Sequence, residues 1–314
     1  MSAGIRTLRE FDWRQYVLYI GFVALFLVFA ATLSNDGFLT SDNLLNIVRQ
    51  TATISVMAVA VTFVIGAAEI DLSVGAVAGL SSVVCAMAID SWGVVPGILC
   101  GLLVGILVGS VNGALVTWLG IPSFLVTLGM LGIAHGSAQW ITNSAPQPIL
   151  DNGFNDIFGS GDLGPVPSLV IWTIAAVLLG HVVLRHTAFG RGVLATGGNE
   201  EAARFSGVPT KRIKFSVMVL ASVAASIAGM LYAGRLQSGR FQWGEGDELS
   251  VIAAVILGGT SLFGGRASVI GALLGSLMIG LINNGLILMG LEFSQQQIVR
   301  GAIIILAVAL ATRD

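Results

Sequence analysis

Apolar residues run along this chain in long blocks, and the short gaps between them hold most of its charge. Ten blocks are distinct: 17–33, 44–66, 72–89, 94–119, 122–142, 167–184, 213–233, 249–263, 267–291 and 297–312. Most reach the length of about 18 residues at which an apolar helix crosses a bilayer. Hydrocarbon offers backbone N–H and C=O groups no partner, so each block predicts a helix that pairs them internally. The eighth block is short for a full crossing and predicts a broken or re-entrant helix. The expected fold is all-α and polytopic, with about ten transmembrane helices in a single transmembrane domain over 1–314.

Composition supports this picture. Hydrophobic residues make up 55% of the 314 residues and charged residues 10%, too few to cover the outside of a soluble domain. A net charge of −2 supplies no basic field for nucleic acid. Cys85 and Cys100 both fall inside apolar blocks, where they fit small buried residues better than a disulfide or a metal site. Arg6, Arg9 and Arg14 precede the first block as in a signal peptide, but nine further blocks follow and the cleavage pattern is poor. The first block is therefore expected to stay as an uncleaved helix.

Lys and Arg set the expected orientation. A cytosolic N-terminus places Arg6, Arg9, Arg14, Arg185, Arg191, Arg204, Lys211, Arg212, Lys214, Arg266 and Arg313 inside. Arg49, Arg235, Arg240 and Arg300 fall on or near the outer side. Ten spans return the C-terminus to the cytosol.

Three short matches recur in the same order in both halves. Ser55-Val-Met57 pairs with Ser216-Val-Met218, and Asp71-Leu-Ser-Val74 with Glu248-Leu-Ser-Val251. The segment 109–116 pairs with 280–287, putting Asn112 and Asn284 within one position of matching places. Spans 2–5 then correspond to spans 7–10. An offset of five spans turns one copy upside down, and inverted repeats are a transporter pattern with the pathway at the repeat interface.

Six of the fifteen basic residues crowd into Arg185 to Lys214. Within this stretch Asn199 suits an N-cap, and Glu200 and Glu201 suit the positive end of a helix. Arg204 falls in the last turn, Gly207 suits a C-terminal stop and Pro209 bars continuation. The pattern predicts a helix of about two turns, marginal alone in water and in need of a surface to rest on. Ala202, Ala203 and Phe205 offer it a small apolar face.

These residues carry a family resemblance. Gly198 to Lys214 resembles the coupling-helix loop of ABC importer permeases of the ribose/xylose/arabinose/galactoside class. So do Glu69-Ile-Asp-Leu-Ser-Val-Gly75, Pro122-Ser-Phe-Leu-Val-Thr-Leu-Gly129 and Leu257-Gly-Gly-Thr-Ser-Leu-Phe-Gly-Gly265. The resemblance runs from about residue 40 to the C-terminus and identifies no particular sugar. It implies a permease subunit in the bacterial inner membrane, importing a monosaccharide or similar small polyol. The implied partners are a second permease copy in a homodimer or heterodimer, cytosolic ABC ATPase subunits, an external sugar-binding protein, and membrane lipid. Asn199, Glu200, Glu201, Ala202, Ala203, Arg204, Phe205, Ser206 and Gly207 would form the ATPase-coupling helix. Independently, neither Lys211 nor Lys214 follows a glycine, so the chain lacks a phosphate-binding loop of its own. No cofactor, metal site or catalytic set is expected; His135, His181 and His186 are scattered.

Other candidates stay open at this level. Glu69 and Asp71 read either as intramembrane functional acids or, with Ser73, as caps of the third span. Glu248 and Ser250 sit similarly before the eighth. Used as a proton relay, Glu69 and Asp71 would instead make the chain a secondary transporter. Asn112 and Asn284 either bond across helices or face a polar pathway. Arg235, Arg240, Trp243 and Glu245 suit either docking of a binding protein or a solvated loop with internal ion pairs.

Overall fold

The computed structural model describes residues 17–311. Arg6, Arg9, Arg14 and Arg313, and with them the expected cytoplasmic ends, lie outside those residues. Two helices open the described chain: α1 (Val17–Thr32) and α2 (Ser41–Gly66), the latter capped by Thr40. From Thr51 to Gly66 every residue of α2 is buried. A helix apolar all round belongs inside a bundle, and α2 forms its centre.

After a non-helical linker at 67–73 come α3 (Val74–Trp92), α4 (Val94–Thr117) and α5 (Ser123–Thr142). The packing of α4 follows from its glycines. Gly97, Gly101, Gly105, Gly109 and Gly113 recur every fourth residue and form most of its buried face. A methyl on Gly101 would meet Cys85 of α3 and Met230, and one on Gly109 would meet Val219. The stripe lets the helix backbones close to van der Waals contact, the main attraction available between helices in lipid. The opposite face of α4, with Leu99, Leu103, Leu107 and Val111, is exposed.

A segment of short pieces follows: β1 (Gln147–Pro148), α6 (Asn152–Asn155), one wide turn at 156–160, β2 (Asp162–Leu163) and β3 (Val166–Pro167). Then come α7 (Ser168–His186), α8 (Ala188–Gly198), α9 (Glu200–Phe205) and α10 (Thr210–Arg235), which packs along α2, α3 and α4. The chain continues through β4 (Ser238–Gly239), α11 (Asp247–Leu257), α12 (Val269–Leu288) and α13 (Phe293–Ala311).

Among the described residues seven helices are long and apolar enough to cross a membrane: α2, α3, α4, α5, α7, α10 and α12. The expected eighth span is the short α11. Its 11 residues rise roughly 16 Å, about half the hydrocarbon thickness. It stops where Gly259, Gly264 and Gly265 adopt positive φ in the loop 258–268. Two details depart from a purely helical reading: β1 pairs with β4 and β2 with β3, both antiparallel, and α8 adds a helix ahead of the expected short one.

The bundle has two distinct ends. One gathers α8, α9, the loop 258–268 and the linker 67–73. The other gathers 143–166 and 236–239, joined by the β1–β4 pair and by Ile149 N–H donating to Gln237 O at 2.9 Å; from there 240–246 turns back along α3 until Gly244 lies against Gly75.

Candidate functional site

The short helix in the basic segment forms as its sequence predicts. Asn199 is extended, and its Oδ1 accepts the Ala202 N–H at 2.9 Å. At the other end Gly207 takes φ 84°; its N–H donates to Arg204 O at 3.0 Å and Val208 N–H donates to Ala203 O at 3.0 Å. That pair of bonds is the left-handed glycine stop, which only a residue tolerating positive φ supports at low cost. Caps at both ends let six residues hold a helix that is too short to persist unaided.

Its faces differ from the sequence expectation. Ala203 alone is buried against the bundle, while Ala202 and Phe205 point outward and Phe205 is 78% exposed. Residues 202 and 205 lie three apart on one side of the helix, and 203 lies about 100° around from 202. The apolar group at 202, 203 and 205 is therefore split between an inner anchor and an outer face. Glu201, Arg204 and Ser206 are also exposed, and the Arg204 guanidinium lies 5.7 Å from the Phe205 ring centroid.

Lys214, one turn into α10, ties α9 to the transmembrane core. Its Nζ is 2.7 Å from Glu200 Oε2 and 2.7 Å from Glu69 Oε1. Burial alone would raise the Glu200 carboxyl. Hydrogen bonding and attraction by Lys214, with smaller help from Thr210 and Arg204, hold it below its usual range. Beside this bridge the main chains close up. Gly265 N–H donates to Gly66 O at 3.1 Å, and a methyl on Gly197 would run into Gly66 O and Gly265 N. The end of α2, the end of α8 and the loop 258–268 meet there backbone to backbone.

The linker 67–73 runs inward from that end of the bundle: Ala68 is exposed, whereas Glu69, Asp71 and Ser73 are buried. Ser123 Oγ accepts Ile70 N–H at 3.1 Å and Thr127 Oγ1 accepts Leu72 N–H at 3.0 Å, so α5 hydroxyls satisfy linker donors that would otherwise be buried unpaired. Asp71 and Ser73 are fully buried. Asp71 Oδ1 accepts Ser73 N–H at 2.8 Å and Ser73 Oγ–H at 2.6 Å, and Ser73 Oγ accepts from Asn112 Nδ2 at 3.1 Å. Asp71 thus caps the turn into α3, whereas Ser73, at the N-cap position, makes no side-chain cap bond. The matching reading of Glu248 as a residue preceding its helix is corrected: Gly246 in the left-handed region starts α11 at Asp247, so Glu248 and Ser250 lie within it.

Asn284 and Asn112 both bond between elements. Asn284 exchanges two hydrogen bonds with Asn43 of α2, at 2.7 and 3.1 Å, and Asn112 joins α4 to Ser73.

From the far end the segment 236–246 runs back along α3 to its first turn rather than arching over it. Methyls on Gly75 and Gly79 would strike the carbonyls of Gly244 and Phe241. Trp243 donates its indole N–H to Ser238 O at 2.7 Å, stacks on Tyr232 at 6.1 Å and has the Arg240 guanidinium 5.4 Å from its ring. Stacking, cation–π contact and hydrogen bonds thus organise this segment. Arg240 and Glu245 are exposed, and Arg235 is half-buried. A cavity of about 400 Å³ opens there between Tyr232, Trp243, Glu245, Asp247 and, from α13, Gln297.

Sequence reasoning gave no bonding role to Lys214, Ser123, Thr127 or Asn43. A faint signal existed for the first three: Lys214 is one of two lysines, and Ser123 and Thr127 sit four apart at the start of an apolar block.

A bundle centred on α2 and α10, with seven helices long and apolar enough to cross a membrane and a capped helix on one end, fits a membrane permease. Residues 43–308 match the family described as branched-chain amino acid transport system / permease component, and the chain belongs to that family. It is 40% identical over 294 residues to the probable ABC transporter permease protein YphD of Escherichia coli K12, covering 93% of this chain and 87% of that one. It is 40% identical over 292 residues to the ribose import permease protein RbsC of Bacillus subtilis, covering 92% and 91%. To the L-arabinose ABC transporter permease protein AraH of Azospirillum brasilense it is 39% identical over 298 residues, covering 94% and 87%. No solved structure matches the chain.

Proposed function

We propose that this chain is the transmembrane subunit of an ATP-driven importer for a monosaccharide or similar small polyol in the bacterial inner membrane. The sugar assignment is supported by the ribose and arabinose permeases among its relatives. The relatives give no support to a proton-coupled carrier, and Glu69, one of the two acids such a relay would use, is paired with Lys214. The observation that carries the mechanism is the Glu200–Lys214–Glu69 bridge. It connects the outward-facing Ala202–Phe205 side of α9 to the break between α2 and α3.

The mechanism follows from that connection. Ala202, Arg204 and Phe205 dock in a cleft of an ABC ATPase subunit. Closure of the ATPase pair displaces α9, and Lys214 and the glycine junction pass the displacement to α2, α10 and the loop 258–268. Interior packing is stiff, so the displacement repositions whole helices instead of dissipating locally. A second permease copy completes the pathway. An external sugar-binding protein docks from the far end toward Arg240, Trp243 and Glu245, beside half-buried Arg235. Its cargo enters by the cavity next to Trp243.

The α9 end then faces the cytosol, with both termini. The clustering of Arg185, Arg191, Arg204, Lys211, Arg212, Lys214 and Arg266 at that end favours this orientation. About ten spans arranged as an inverted repeat complete the proposal. One structural parallel favours it: α2 and α10 are each 26 residues long, and each is followed by an irregular stretch and then a Leu-Ser-Val, at the entry to α3 in one case and within the first turns of α11 in the other.

Reconstitution tests the reading. The assembled complex is expected to take up sugar only with ATP on the α9 side, the ATPase and the binding protein present. Uptake by this chain alone on a proton gradient overturns it.

A further inference from the structure

The break between α2 and α3 holds a polar cluster that leaves two buried acceptors without a partner in the protein. Asp71, Ser73 and Asn112 are completely buried. Along the cluster the donors run one way: Asn112 Nδ2 to Ser73 Oγ, then Ser73 Oγ and Ser73 N to Asp71 Oδ1. Two acceptors are left over, Asp71 Oδ2 and Asn112 Oδ1, each buried and without a hydrogen-bond partner in the protein. An ionised Asp71 is also a charge without a counter-ion. Asp71 makes no ion pair among the described residues. Of the cations on the helices around the break, Lys214 is engaged by Glu69 and Glu200, Arg49 pairs with Asp162, Lys211 and Arg212 are exposed at the start of α10 and Arg235 lies at its other end; Glu69, Asp247 and Glu248 carry the same sign as Asp71, and His135 of α5 lies against Phe241. A buried carboxylate with neither cation nor full hydrogen bonding is strongly disfavoured against its neutral acid. One proton on Oδ2 removes the charge and turns one orphan acceptor into a donor. Asn112 Oδ1 is the orphan acceptor left in the cluster to receive it, directly or through one buried water.

We propose that Asp71 is held as the neutral acid and acts as a positioning hydrogen-bond donor that locks the α2–α3 break to α4 through Asn112. It neither relays protons nor contacts the solute. The inference goes beyond the importer reading and uses it only for one readout.

Infrared spectroscopy of the full chain in lipid nanodiscs tests the protonation directly. The carbonyl stretch of a protonated carboxyl group is expected to persist through neutral pH and to vanish in Asp71→Asn. Asn112→Ala, which removes the acceptor, is expected to shift its frequency. A wild-type spectrum equal to that of Asp71→Asn in this region, a band that titrates away near neutrality, or a band unmoved by Asn112→Ala overturns the proposal. In the reconstituted complex Asp71→Asn keeps the shape and a donor, and is expected to retain most of the ATP-driven uptake at every pH where the wild type works. Asp71→Ala is expected to lose it. An Asp71→Asn complex that assembles but does not transport also overturns the proposal. If the wild-type complex moves no sugar, the importer reading fails and the spectra alone decide the state of Asp71.

Discussion

Lys214 Nζ and Glu69 Oε1 are 2.7 Å apart, joining the first turns of α10 to the break between α2 and α3 at a place where both side chains are largely shielded from water. The same ammonium holds Glu200 of α9. One side chain therefore spans the outward helix and the interrupted core.

Removing the cation leaves Glu69 shielded and unpaired. Lys214→Met is expected to cost about 1–3 kcal/mol of stability, the range for orphaning a buried polar partner. The double variant Glu69→Gln/Lys214→Met is expected to recover part of that loss. Denaturation of the purified chain in detergent measures both, and equal losses in the single and double variants would contradict the pairing.

The two sides of α9 separate docking from folding. Phe205→Ala and Ala202→Glu are expected to weaken ATPase capture in pull-downs while the melting temperature of the isolated permease stays unchanged. Ala203→Leu is expected to lower that temperature, because the extra volume is forced between α9 and the bundle; overpacking of this kind costs typically 1–3 kcal/mol. Both sets lowering stability alike would refute the assigned orientation.

Glu200 titrates below the usual glutamate range because the pull of Lys214 outweighs the opposing effect of burial. A carboxyl depressed in the folded state adds stability above its unfolded pKa and loses it as pH falls through the folded one. The α9 tether is expected to be intact at neutral pH and to weaken only in acid, below the ordinary glutamate pKa. Amide hydrogen exchange across 200–206, corrected for intrinsic rates, is expected to rise with acidification in the wild type and to be flat in Glu200→Gln.

The Asn43–Asn284 exchange links α2 to α12. Asn284→Leu removes both bonds and leaves the Asn43 side chain without that partner. The expected loss is about 1 kcal/mol, within the range measured for hydrogen bonds between membrane helices. Asn284→Ala with Asn43→Ala is expected to cost less than the sum of the two single changes, as a double-mutant cycle in bicelles would register.

Local physics made much of this legible in advance. The apolar blocks became helices because a chain in hydrocarbon must pair its backbone within each segment. Asn199 and Gly207 delimit α9 because caps act over three or four residues. The eighth block, 249–263, was itself too short for a full crossing. The family motifs marked the linker 67–73 and the start of α5 as notable without saying that Ser123 and Thr127 serve the linker's own N–H groups.

What the sequence determined by itself, then, is where helices run and how the short one is capped, since these depend on neighbours along the chain. Tertiary structure alone decided that Ala203 faces in while Phe205 faces out, that Lys214 holds two acids, and that α4 closes on α10 along its glycines. Each of those rests on contacts between distant segments, where direction and distance in space choose the partner and no periodicity along the chain records the choice.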